Sequence, residues 1–312
     1  SIENTVVKIE EELFNLSITP KDQVISTNAT LLNNMFQEVK QKFLNPTLPG
    51  LSSGFTNLDL LTQGFQKSDF IILAGRPSIG KTALSLTMAL NIIKDLKTPV
   101  LFFSLEMAKE QLMYRLLSME TKIGQNYLKN GRLSQNDWAK LNRTIKIFSK
   151  LPFFIDDTPN LSIQNIRKKI KRVVSEHNKI GLIIIDYLQL IQNPVSPINN
   201  RVQELSQITR SLKIFAREFN VPIIALSQLN RNVENRIDQK PILSDLRESG
   251  TIEQDADLVL LLYNLKLTNS LSVLSKTSDS IGLIVAKQRN GPLGDIKLIF
   301  NKTQTKFLEF EN

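Results

Sequence analysis

The chain has 312 residues, 41% of them apolar, enough to fill a substantial core in one large domain or one domain with attachments. It contains no cysteine, which excludes disulfides and thiolate metal sites, and no apolar run is long enough to span a bilayer, so no membrane association is expected. A net charge of +9 is compatible with a polyanionic partner, yet alone points only weakly to nucleic acid.

Residues 2 to 16 place Ile2, Val6, Ile9, Leu13 and Leu16 at helical spacing with acidic residues between them, until TPKD stops the pattern. This predicts a free-standing amphipathic helix. The same charged and apolar alternation resembles neither a signal peptide nor an anchor, so the chain is expected to stay where it is made. A second helix is predicted over LLNNMFQEVKQKF, with Thr27 or Asn28 as cap, and the Pro/Gly/Ser-rich stretch NPTLPGLSSG ends it. The main domain is expected to begin near Leu51.

From there short apolar runs alternate with helical ones: FIILA, VLFFS, FFIDD, LIIID, PIIAL, LVLLLY and LIVAK read as strands, most of them apolar on both faces. The alternation predicts a largely parallel sheet with helices on both sides, an α/β fold. The Ser/Thr-rich segment 267 to 280 reads as a mobile loop.

Between FIILA and the helical run ALSLTMALNIIK stands GRPSIGKT, which fits G-x-x-x-x-G-K-[ST] in strand-turn-helix context. In such a loop Gly75 and Gly80 permit turns that a Cβ would obstruct, so that backbone N–H groups surround phosphate oxygens at a helix N-terminus. Lys81 brings a full charge to the β- and γ-phosphates of ATP, and Thr82 offers a hydroxyl to Mg²⁺. Pro77 stiffens the loop.

Other strand ends supply the remaining chemistry. Asp186 closes LIIID, where it would join the metal shell; capping the next helix is its structural alternative. Glu106, just past VLFFS, is the candidate base, against a first-turn glutamate that favours the helix dipole. Gln228, after IIALS, carries an amide able to sense the γ-phosphate. The pair DDTP at 156 to 159 reads as turn and cap chemistry, and the lone His177 as a solvated helix end. In IRKKIKRVV the stripe Ile163, Ile166, Ile170 and Val173 faces a core, leaving the cations as a solvated face.

Taken in order after GRPSIGKT, the runs FSLEM, IIIDYLQL, ALSQLNR, SDLRESGTIEQDAD and KQRNGP resemble the motor domain of DnaB-type replicative DNA helicases from Leu51 onward. The resemblance implies a RecA-like P-loop NTPase core, a ring of six identical subunits, and ATP- and Mg²⁺-dependent 5′-to-3′ translocation on single-stranded DNA. It implies primase and a helicase loader as partners, and a bacterial cytoplasm or a plastid stroma as location. By the same likeness Glu106 is the catalytic glutamate, Asp186 the Mg²⁺ partner with Thr82, Gln228 the γ-phosphate sensor and Arg115 a nucleotide-base contact. Ser78, Gly80, Lys81, Thr82 and Ala83 would line the phosphates, and Lys287, Gln288 and Arg289 resemble the basic finger that reaches the neighbouring subunit's ATP. Arg247, Glu248 and Gly250 fall in the family's DNA loop, which has no aromatic residue and so favours tracking the backbone over stacking on bases. Residues 1 to 18 resemble the linker helix that docks on the adjacent subunit, 19 to 50 a connecting segment with a helix, and 51 to 312 the motor. The second reading is a RecA-type recombinase-like ATPase that does not unwind forks.

Overall fold

A computed structural model describes residues 28–44, 48–191, 201–236, 238–246, 250–265 and 278–310. The helix expected over residues 2 to 16 lies outside them, as do Arg247, Glu248 and most of the Ser/Thr-rich segment. The first described element, α1 (Asn28–Leu44), belongs to a unit of its own. Leu32, Met35, Phe36, Val39 and Phe43 recur at helical spacing along it and are exposed.

Residues from Leu48 on form the second compact unit. It runs α2 (Thr56–Thr62), β1 (Phe70–Gly75), α3 (Lys81–Asn91, extended by a π turn over Ile92–Leu96), β2 (Val100–Ser104), α4 (Lys109–Thr121), α5 (Gln125–Asn130) and α6 (Gln135–Phe148). Then follow β3 (Phe153–Asp156), α7 (Ile163–His177), β4 (Leu182–Asp186), α8 (Arg201–Phe219), β5 (Ile223–Gln228) and α9 (Gly250–Asp255). Four strands close the unit: β6 (Leu258–Asn264), β7 (Ser278–Gln288), β8 (Gly294–Asn301) and β9 (Lys306–Glu309).

The strands form one sheet in the order β3-β2-β4-β5-β1-β6-β7-β8-β9. Pairing is parallel from β3 to β6 and antiparallel from β6 to β9. The parallel strands are apolar on both faces because helices cover both. In β1, Ile71 and Leu73 join the core under α3 and α4, while Phe70, Ile72 and Ala74 join the one under α7 and α8. β4 and β5 divide their residues in the same alternation. Each such side chain removed from water contributes about 1.5–3 kcal/mol, so the sheet is a stiff platform for whatever its edges carry.

Two strands escape the sequence reading, and one loop is shortened. β8 and β9 alternate polar with apolar residues at the antiparallel end of the sheet, so neither presents a continuous apolar run. The expected loop over 267–280 needs correction at its end: Ser278, Asp279 and Ser280 are β7 residues paired with Asn301, Phe300 and Ile299. Ladder hydrogen bonds there override a composition that reads as loop.

The basic helix α7 buries Ile163, Ile166 and Ile170, with Val173 partly buried beside them. Arg167 makes a two-pronged pair with Glu218, Lys169 bonds Asp156 and Thr158, and Arg172 pairs with Glu176. Asp156 also accepts from the Thr158 amide and Asp157 from the Lys109 amide, the turn and cap chemistry expected of DDTP. His177 ends α7 and packs its ring against Phe154, with centroids 4.5 Å apart.

Candidate nucleotide site and the finger on the opposite edge

The carboxyl ends of β1, β2, β4 and β5 converge at one edge of the sheet, where open α/β sheets bind ligands. β1 ends at Gly75 and the chain turns through Arg76–Ile79 into α3. Positive φ falls on Ser78 (+63°) and Gly80 (+102°), while Gly75 is needed for another reason. A Cβ there would come within 2.8 Å of Ile79 Cγ2, so Gly75 provides room rather than a left-handed turn. At Gly80 both constraints apply, since a Cβ would also lie 2.9 Å from the Phe307 ring. No side chain caps the start of α3, which leaves the helix N-terminus to an anionic ligand.

Lys81 Nζ donates to the carbonyl oxygens of Gly75 at 2.9 Å and Arg76 at 3.1 Å, spanning its own loop. Burial lowers its pKa to about 8, against the pull of the Asp186 and Glu106 carboxylates. Thr82 Oγ1 donates to Asp186 Oδ2 at 2.7 Å. Asp186 is 2% exposed, and burial pushes its carboxyl up to about 6, opposed by the Thr82 hydrogen bond. A hydroxyl and a carboxylate side by side are the hard oxygen donors that Mg²⁺ prefers. Among the described residues no group of three or more His, Cys, Asp or Glu side chains gathers as a metal cage, so a metal here would complete its shell with phosphate and water.

Glu106 follows β2, which pairs directly with β4, and its charge acts on both Asp186 and Lys81. Arg115 reaches the same group from α4; burial lowers its pKa while Asp186 and Glu106 hold it up. Gln228 closes β5, between the strands of Asp186 and the phosphate loop, and stands level with Gly75. Ala83 is buried in α3 and can offer only its backbone.

Two contacts at this edge are absent from the sequence reading. Arg76 pairs with Glu234 at 2.7 Å and donates to the Leu229 carbonyl at 2.9 Å, tying the phosphate loop to the segment after Gln228. Gln189 Nε2 donates to Ser227 Oγ at 3.0 Å, linking the chain after Asp186 to the residue before Gln228. Arg76 stands at a variable position of the loop motif, and Gln189 lies within IIIDYLQL as an ordinary amide.

Lys287, Gln288 and Arg289 are not brought to this edge. Gly75 is level with Leu262 and Leu262 with Leu283, whereas Ile71 is level with Leu258 and Leu258 with Gln288. The finger therefore leaves the opposite edge, about 13 Å away along the strands at roughly 3.3 Å per residue. Lys287 Nζ donates to the Glu253 carbonyl at 2.5 Å, and Arg289 Nη2 to that of Gln254 at 3.0 Å, both on α9. Gln288 turns inward toward the Leu61 carbonyl. Gly250 opens α9; Arg247 and Glu248 lie outside the described residues.

Strand order, phosphate loop and strand-end carboxylates define a P-loop nucleotide-binding ATPase of the RecA-like class. The chain belongs to the DnaB-like helicase family: residues 50–309 match the DnaB-like helicase C-terminal domain. It is 59% identical over 310 residues to the probable replicative DNA helicase of Trieres chinensis, covering 99% of this chain and 68% of the relative. With the replicative DNA helicase DnaB of Geobacillus stearothermophilus it shares 45% identity over 293 residues, covering 93% and 62%. The chain thus spans about two thirds of the length of these relatives. Among solved structures it resembles an ATPase domain with a TM-score of 0.83, at 36% identity and coverage of 92% of this chain and 99% of that one. A DnaB-like replicative helicase studied for its interactions with primase superposes with a TM-score of 0.84, at 36% identity over 99% of this chain and 73% of the other. Relatives that are replicative helicases do not favour the recombinase reading.

Proposed function

We propose that the chain is the motor of a replicative DNA helicase: a homohexameric ring that hydrolyses ATP with Mg²⁺ and moves 5′-to-3′ along single-stranded DNA. The observation that carries this reading is the separation of phosphate loop and finger on opposite sheet edges. With that layout Lys287 and Arg289 cannot serve their own subunit's phosphate loop, so a catalytic role for them requires a second copy. The exposed apolar stripe of α1 also suits a neighbouring subunit. In the proposed assembly residues 1 to 18 are the linker helix that docks next door, 19 to 50 connect, and 51 to 312 are the motor.

Lys81 and the amides of Ser78, Gly80, Thr82 and Ala83 hold the phosphates, and Arg115 meets the nucleotide from α4. When bound by Thr82 and Asp186, Mg²⁺ supplies charge neutralisation on the β- and γ-phosphates. Glu106 takes the proton of the attacking water, Gln228 hydrogen-bonds the γ-phosphate, and the neighbour's Arg289 and Lys287 stabilise the charge that develops on the transferred group. Arg247, with Glu248 and Gly250, grips the sugar-phosphate backbone of DNA. Primase and a loader are the proposed protein partners, in a bacterial cytoplasm or a plastid stroma; among the described residues no helix is long and apolar enough to cross a membrane.

The test is unwinding of forked DNA with ATP, alongside mass measurement of the assembly. A helicase of this polarity needs a 5′ tail and forms a hexamer; strand exchange without unwinding returns the recombinase reading, and turnover indifferent to DNA refutes both.

A further inference from the structure

Under the finger lies a carboxylate that the site described above does not use. Asp257 is 6% exposed at the amino-terminal edge of the sheet, one residue before β6. Its Oδ2 accepts from the Phe70 amide at 2.8 Å and from Lys213 Nζ. Its Oδ1 lies 3.4 Å from Arg289 Nη1, and its backbone carbonyl accepts from the Arg289 amide at 3.0 Å. One buried residue thus joins the first residue of the phosphate-loop strand, helix α8 and both the backbone and guanidinium of Arg289.

The charges explain the arrangement. Lys213 pairs with Asp257 at close range and donates to the Ser68 carbonyl at 2.9 Å, so Asp257 keeps one cationic partner when Arg289 leaves. Asp69, a second carboxylate pushed up to about 6 by burial and by Asp257, shares the pull of both Lys213 and Arg289. Arg289 is 45% exposed at its side chain, and its contact to Asp257 is the longer of the two ion pairs. The guanidinium is consequently aimed by Asp257 and by the Gln254 carbonyl, yet free to leave both for a phosphate, a stronger bidentate partner. An arginine on a flexible stem loses entropy when it finds a phosphate; a side chain already held in one direction loses less.

We infer that Asp257 is a positioning residue for the finger: it holds Arg289 in the orientation from which it enters the neighbouring subunit's ATP site. The inference rests on the proposed finger in trans. It requires Asp257 to act on the adjacent site and to leave its own subunit's nucleotide binding intact.

Asp257→Asn keeps an oxygen for the Phe70 amide while removing the charge. Expected are a kcat for ATP lowered roughly tenfold to a hundredfold, the cost of a displaced catalytic group, with KM changed less than about threefold. Mixed rings separate the two ways Asp257 could act. Asp257→Asn subunits are combined with Lys81→Ala subunits, beside a reference mixture of Arg289→Ala with Lys81→Ala. Recovery of ATPase in both mixtures supports the inference, because an intact phosphate loop then meets a finger supported by its own Asp257. Recovery in the reference alone places the defect within the Asp257→Asn subunit's own site, through β1, and overturns it. Recovery in neither refutes the finger in trans and this inference with it. Should Asp257→Asn fail to assemble, Asp257→Asn with Lys213→Gln neutralises the buried pair together; failure of that variant too would make Asp257 a stability residue and overturn the proposal.

Discussion

Thr82 Oγ1 donates to Asp186 Oδ2 at 2.7 Å, so the first turn of the phosphate-loop helix and the end of strand β4 meet in one hydrogen bond. The bond brings together the two oxygen donors proposed for a Mg²⁺–nucleotide and keeps a buried carboxylate satisfied.

Asp186 has to be ionised to serve a metal, and burial pushes its pKa up to about 6 from the ordinary carboxylate value of 3.8. Mg²⁺-dependent nucleotide affinity should therefore fall as pH drops through about 6, whereas Mg²⁺-independent affinity should not fall with it, since protonating Asp186 removes a negative charge beside Lys81 and the phosphates. For folding the sign is reversed. A carboxyl whose native pKa is raised binds more protons folded than unfolded, so its contribution declines as pH rises from 3.8 to about 6. Titration calorimetry between about pH 5 and pH 7.5, a window bracketing that value, checks this with Asp186→Asn as control; the variant should lose the Mg²⁺ increment at every pH.

Lys81 has the opposite sensitivity. Burial lowers it to about 8 in the free protein, and phosphate contact should raise it again. Nucleotide binding slightly above that pH should take up a proton, measurable as a buffer-dependent binding enthalpy that vanishes in Lys81→Ala.

Glu106→Gln separates binding from chemistry. As the proposed base it should leave nucleotide affinity within a fewfold while hydrolysis falls by roughly two to four orders of magnitude. Single-turnover hydrolysis beside equilibrium binding is the check, and near-normal turnover would remove Glu106 from the mechanism.

Much of this was legible from residues, and the physical reasons differ by element. FIILA, VLFFS and LIIID announce themselves because strands covered on both faces have no polar alternation to obscure them. GRPSIGKT was readable because a phosphate cradle requires those residue types at that spacing. β8 and β9 were not, since half-exposed antiparallel strands dilute their apolar signal. Gly75 shows another limit: its need for glycine arises from Ile79 and Leu262 in space, which a local turn argument does not contain. Asp257 and Arg76 could not be found either, because their partners Lys213 and Glu234 are distant in the chain.

Gly80 gives a stability prediction from the same geometry. With φ at +102° and Phe307 2.9 Å from a would-be Cβ, Gly80→Ala should cost about 1–3 kcal/mol and weaken nucleotide binding together with it. Denaturant unfolding and nucleotide titration of the same sample check both effects.

Arg247→Ala should weaken single-stranded DNA binding equally for all base compositions and reduce the salt slope by roughly 1, as expected for one lost phosphate contact. Titrations of dT- and mixed-sequence oligonucleotides at several salt concentrations decide it; a loss confined to one composition would contradict backbone tracking.

The central claim is that one ATP site is built from opposite sheet edges of two subunits, and subunit mixing tests it most directly. Arg289→Ala rings and Lys81→Ala rings should each be nearly inactive. Combined at varied ratios, with ring composition verified by mass, they should regain ATPase activity with a maximum at intermediate ratios, where an intact loop from one variant meets an intact finger from the other. Verified mixed rings and linked dimers that stay inactive at every ratio would contradict a site shared between subunits.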